Sequence, residues 1–198
     1  MRAQLLHLLA LLTLECPVGA EASEWAIAVL ATAEDTEAIR ILAGLPANST
    51  REELAPWLRR AAHDLAVRLP TREESYRILT MSQAQQARDL ALAIAGGQIG
   101  VVEGSWKIRD LAFAGADVDD EMRALFMPFV AVTSETDHFP IGEERANWDL
   151  DVLREKDLEI RAYDEACRAQ MVPHCRAFAA RVDRDAAWLT EFFAPTPK

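Results

Sequence analysis

The stretch DLDVLREKDLEIRAYDEACRAQMVPHCRAFAARVDRD, residues 149–185, decides the fold class. Leu153, Ile160, Cys167, Met171, Phe178 and Val182 recur at steps of four and seven. That spacing follows one face of a helix. Asp149 stands where an N-cap belongs, because a short carboxylate can accept from the first free amides of a helix. Asp157 and Asp164 interrupt the apolar stripe, which predicts a half-exposed helix rather than a coiled coil. Pro173 lacks an amide hydrogen and is expected to bend or split this element.

Immediately upstream lies Ser134-Glu135-Thr136-Asp137-His138-Phe139-Pro140-Ile141-Gly142-Glu143-Glu144-Arg145-Ala146-Asn147-Trp148, the one stretch without helical periodicity. Long polar loops are uncommon in compact helical domains and are often functional. Glu135 and His138 have a Glu-x-x-His spacing, which on a helix would let both ligate one metal. A dinuclear site needs a second pair, yet Gln4, Arg60 and Met171 stand three before His7, His63 and His174. Pro140 and Gly142 also oppose a helix here. A mononuclear site would draw on Asp137, His138 and one or two of Glu103, Glu143 or Glu144. We favour a structural role, in which Glu135 and Asp137 cap amides and His138 and Trp148 pack the loop down. Arg145 is expected to pair with Glu135 or Asp137. Trp148 is expected to staple the start of the long helix by packing on Val152 or Leu153.

Further upstream the pattern stays helical. Glu24–Leu45 reads as one or two helices closed by Gly44 and Pro46. Thr50 and Glu53, Thr71 and Glu74, and Ser82 and Gln85 are each spaced as capping boxes, so three helices are expected to open there. Pro56 is assigned to the first turn of a helix that stops at Pro70. The second box opens a short helix through Leu79, and the third opens one ending at Gly96-Gly97. Gln98–Ala114 follows. Asp117–Asp120 caps a helix kinked at Pro128, and Phe129–Thr133 is the sole candidate strand. Asp183–Phe193 is a last helix. The expected fold is all-α: a single irregular bundle of six to eight helices with one polar loop at about 134–148.

Asn48-Ser49-Thr50 is also a glycosylation acceptor, with capping the preferred meaning. No repeat, phosphate-cradling glycine loop, dinucleotide fingerprint or zinc-protease helix occurs, so no cofactor is identified. Ser134 and Ser105 lack a nucleophile elbow.

Composition narrows the function class. The chain has 198 residues, 51% of them hydrophobic, enough for a core. Its 21 basic and 32 acidic residues give a net charge of -11. Such a surface repels phosphate backbones and anionic headgroups, so nucleic acid and membrane-surface partners are disfavoured, and cationic peptides, metal ions or a basic protein partner fit. The abundance of Arg over Lys is consistent with a GC-rich genome and carries no function.

Residues 1–20 have the layout of a signal peptide. Arg2 supplies the charge, Leu5–Leu14 is an apolar run, and Val18 and Ala20 occupy the -3 and -1 positions of a cleavage site. The expected mature domain is 21–198, periplasmic or secreted. The alternative is a cytoplasmic chain in which residues 1–20 form a buried helix, since His7, Thr13 and Glu15 are misplaced in a signal. Glu15 beside Cys16 excludes lipidation. Cys167 and Cys175 would lie about 12 Å apart on a continuous helix, against roughly 4.4–6.8 Å for a disulfide. They are read as free thiols, and a site of Cys167, His174 and Cys175 lacks a fourth ligand.

On these grounds the expected function is that of an exported, non-enzymatic interaction or structural protein. The alternative is a small metal-dependent or acid–base hydrolase using Glu135, Asp137 and His138.

Overall fold

A computed structural model describes residues 1–32, 35–111 and 119–193. Among them every regular element is helical. Eight α-helices run in chain order: α1 Arg2–Thr13, α2 Gly19–Leu30, α3 Glu37–Gly44, α4 Arg51–Asp64, α5 Arg72–Gly96, α6 Val101–Asp110, α7 Asp120–Glu135 and α8 Leu150–Asp185. Two 3₁₀ helices, Gly142–Asn147 and Ala186–Phe192, complete the set. The all-α expectation holds. The described residues divide into two compact units. Unit 1 is residues 1–82 with the C-terminal segment from 187, and unit 2 is residues 83–186.

In unit 1, α2 packs on α3, α3 on α4, and α1 on α4 and α2. Leu5, Leu8, Trp25, Ile39, Leu42, Leu54 and Leu58 form its buried centre. Local chemistry sets the helix starts. The Thr36 hydroxyl accepts from the Ile39 amide at 3.4 Å to open α3. Thr50 and Glu53 form a complete capping box on α4, each satisfying the other's free amide. Thr71 and Glu74 do the same for α5, at 2.8 and 3.3 Å. The chain leaves α4 after Asp64, well before Pro70, through Ala66 at φ 51°. Pro56 lies inside α4 rather than in its first turn, because Thr50 already caps that same helix. The segment 187–192 belongs to this unit. The Arg68 amide donates to the Phe192 carbonyl at 2.9 Å, and the Arg68 and Arg77 guanidinium groups lie 4.2 Å and 4.4 Å from the Phe192 and Trp188 ring centres.

The third expected capping box is corrected. Ser82 lies within α5, which runs unbroken from Arg72 to Gly96. No glycine or proline separates Leu79 from Ser82, so nothing forces the chain out of helix. Phe129–Thr133 is helical inside α7, not a strand, and α7 continues through Pro128. Likewise α8 is not split at Pro173. Asp119 caps α7, its carboxylate accepting the Met122 amide at 2.8 Å, while Asp117 lies outside the described residues.

Unit 2 holds the site region. Here α6, α7 and α8 pack mutually, around Ile94, Val102, Ile108, Phe129, Cys175, Phe178 and Val182. The Phe129 and Phe178 rings meet edge to face at 5.5 Å. Gly104 lies against Ile94, so close that a Cβ there would collide with that side chain. Buried residues of α8 begin only at Met171. The first half of α8 is thus partly uncovered, as the interrupted stripe predicts.

Candidate functional site

The loop begins where α7 runs out of hydrogen-bond partners. Thr136 is fully buried and closes α7, its amide and hydroxyl both donating to the Val132 carbonyl, at 3.0 and 2.7 Å. The Trp106 indole N–H, from α6, donates to that hydroxyl at 3.1 Å. A buried indole amine needs such an acceptor, and the bond ties the loop's first residue to α6. Phe139 is buried next, its amide on the Thr136 carbonyl at 3.1 Å and its ring edge to face with Tyr163 of α8 at 6.4 Å. Gly142 then turns the chain at φ 62°, a conformation glycine adopts without a Cβ penalty, and opens the 3₁₀ helix.

The far end is fixed by charge. Arg145 forks onto Asp157 of α8, Nη1 and Nη2 donating to the two carboxylate oxygens at 2.8 and 3.0 Å. Nη1 also donates to the Pro140 carbonyl at 3.4 Å. This corrects the expected pairing of Arg145 with Glu135 or Asp137: the 3₁₀ turn points the guanidinium at α8 instead. The Arg145 hydrogen bonds hold the Asp157 carboxyl below its ordinary range. Glu135 is occupied elsewhere, accepting from the Tyr163 hydroxyl at 2.6 Å. Burial first, and that bond second, push the Tyr163 hydroxyl above its ordinary range, so it stays a neutral donor.

Beyond the buried Pro140 and half-buried Ile141, the other loop residues are exposed. The Asp137 and His138 side chains are 77% and 56% exposed, with 3.8 Å between carboxylate oxygen and ring nitrogen. The imidazole lies over the Phe139 ring at 4.3 Å. Glu143 and Glu144 are exposed in the first turn of the 3₁₀ helix. Trp148 is 38% exposed and Val152 39%. The indole at the start of α8 is thus partly open to solvent rather than buried, and Leu153 of that first turn is half-buried. Asp149 caps α8 as expected, accepting from the Asp151 and Val152 amides at 2.8 and 3.4 Å.

The structure thus brings Asp137 and His138 side by side and leaves Glu135 with Tyr163. Glu103 is on α6, bound to Lys107 at 2.6 Å. Among the described residues no three His, Cys, Asp or Glu side chains are grouped so as to hold a metal ion. Cys16, Cys167 and Cys175 are free thiols. Burial pushes the Cys175 thiol up to about 11, so it is not a thiolate nucleophile at neutral pH. Among the described residues the buried Ser105 hydroxyl has no hydrogen-bond partner, and Ser134 is exposed.

Sequence reasoning missed Asp157, Tyr163, Trp106 and Thr136 as the residues that hold the loop. A signal for the first was present: Asp157 breaks an apolar stripe, and so does Asp164. Asp164 reaches across to α6, whose N-cap Gly100 has no side chain, and accepts the Val102 amide at 2.8 Å. The side chain of Asp164 fills the space a Cβ on Gly100 would need. A carboxylate in an apolar stripe has to find a donor. In comparisons with known proteins, no family model, curated protein or solved structure matches the chain.

Proposed function

We propose that the protein is a non-enzymatic interaction protein whose contact surface is the outer rim of the loop and the start of α8, residues 137–152. One observation carries this: three polar groups of the loop are bound to its own scaffold, and its other charged side chains lie at the surface. Thr136, Glu135 and Arg145 are bound to Trp106, Tyr163 and Asp157. Asp137, Glu143, Glu144, Asp149 and Asp151 are exposed in the same stretch of chain as the exposed Trp148, Val152 and Leu150, the last of them 71% exposed. A half-exposed indole with flanking aliphatic side chains supplies an anchor, and the carboxylates select charge. The complementary partner is a protein segment that is basic and carries an apolar side chain.

Proteins retained by the immobilised parent from a native-host extract should include a basic one that is lost on Glu143→Lys/Glu144→Lys and on Trp148→Ala. Retention of it should weaken as salt rises and survive Glu103→Ala, which lies outside the rim. An identical set of retained proteins for the parent and the rim variants would defeat the proposal. A hydrolase using Asp137 and His138 predicts instead that metal analysis of the purified protein finds an ion that His138→Ala releases.

A further inference from the structure

We infer that residues 1–20 are a permanent part of unit 1, and that the Ala20–Glu21 bond is not a processing site in the folded chain. The inference is independent of the loop and its partner. It starts from an ambiguity in the sequence: a run of leucines before a small-residue junction suits an export signal, but it equally suits a helix buried on all sides.

Three observations separate the two. The first is burial. Leu5, Leu6, Leu8, Leu9, Ala10 and Leu12 of α1 are no more than 3% exposed. They spread over more than half the circumference of the helix, so α1 is set into unit 1 rather than laid on a surface, with only the strip through Gln4, His7 and Leu11 open or half-open.

The second concerns the polar residues that disfigure an apolar signal. Thr13 bonds within α1, and His7 and Glu15 meet neighbouring helices, with the second ring nitrogen of His7 buried and without a partner among the described residues. The Thr13 hydroxyl donates to the Leu9 carbonyl at 2.8 Å. His7 Nε2 faces Glu21 of α2 at 3.5 Å, and Glu15 faces Arg51 of α4 at 3.4 Å. The Trp25 indole donates to the Met1 carbonyl at 3.2 Å, tying the residue before α1 to α2. A segment destined for removal has no need of these matches.

The third is the junction itself. Val18 is buried and caps α2, the Ala22 amide donates to the Val18 carbonyl at 2.9 Å, and Ala20 lies in the first turn of that helix. Gly19 lies against the Ala47 carbonyl, so closely that a Cβ there would collide with it. A peptidase reads an extended strand, and this bond is helical, with Val18 buried two residues before Ala20 and Ala20 itself exposed.

The test uses the full chain. Its intact mass is measured after isolation from the native host, and thermal midpoints are compared for the parent, Leu8→Ala and Gln4→Ala. Gln4 is on the exposed end of the same helix. The isolated protein should retain Arg2–Ala20. Leu8→Ala should lower the midpoint by roughly 5–15 °C, the range for a buried leucine in a chain of this size, and Gln4→Ala by about 1 °C or less. A folded product beginning near Glu21 would overturn the inference. So would a Leu8→Ala midpoint equal to that of the parent.

Discussion

Arg145→Ala removes a guanidinium that holds both oxygens of Asp157, at 2.8 and 3.0 Å, and ties the loop to α8 across twelve residues of chain. Both side chains are 37% exposed, so water screens the attraction. Exposed pairs contribute about 0.2–1 kcal/mol, and the two-pronged geometry places this one near the upper end. Either single replacement by alanine should therefore cost about 1 kcal/mol, since each leaves a solvated partner and not a buried bare charge. The double variant should cost little more than either single one, a coupling of about 0.5–1 kcal/mol. In a chain of this size 1 kcal/mol moves the thermal midpoint by about 2–4 °C. Denaturant unfolding of the parent, Arg145→Ala, Asp157→Ala and the double variant measures the coupling, which should shrink in high salt. Glu135→Gln provides the control, because its carboxylate is bound by Tyr163. If Arg145→Ala coupled to Glu135→Gln and not to Asp157→Ala, the arrangement of the loop described above would be wrong.

Three further outcomes are expected. Acid should weaken the fold between pH 4.5 and about 2: the Arg68 hydrogen bonds lower the Glu74 carboxyl to about 2, and Asp119 and Asp157 are lowered by Arg181 and Arg145. Groups whose folded values are depressed stabilise above the unfolded value and lose that contribution as pH falls, so a midpoint equal at pH 7 and pH 3 would contradict these pairs. Asp164 runs the other way, its carboxyl raised by burial against the opposing Val102 and Val101 amides. The parent loses that contribution as pH rises, so Asp164→Asn should compare better with the parent at pH 7 than at pH 3, while Asp164→Ala should cost about 1–2 kcal/mol by uncapping α6, all read from denaturant midpoints. In native protein a thiol reagent should label Cys16 and Cys167 well before Cys175, and equal rates would show that Cys175 is not enclosed.

The helical class was legible because its signals are local. The Thr50–Glu53 and Thr71–Glu74 boxes satisfy amides within one turn, so sequence neighbours suffice to predict them. Ser82 and Gln85 show the limit of that logic: the same spacing occurs mid-helix in α5, where the amides are already bonded and a cap has no work. The first helix shows a different limit. Leu5–Leu14 looks alike as a signal or as a core element, and the difference lies in whether α2 and α4 cover it, which no local pattern records.

The loop was located by its lack of periodicity, but its partners were assigned by proximity in sequence, and electrostatics does not respect that. Glu135 and Asp137 are nearer to Arg145 along the chain, yet the guanidinium meets Asp157 because Gly142 turns the chain left-handed and a 3₁₀ turn follows. The better clue was in the long helix. Asp157 and Asp164 are two turns apart on a side where apolar residues were expected. Each carboxylate there costs packing, and each is repaid by a donor from another element: a guanidinium from the loop for one, the open end of α6 for the other. Asp137, Glu143 and Glu144 break no apolar pattern. They are loop carboxylates left exposed at the surface, where the basic partner proposed above would meet them.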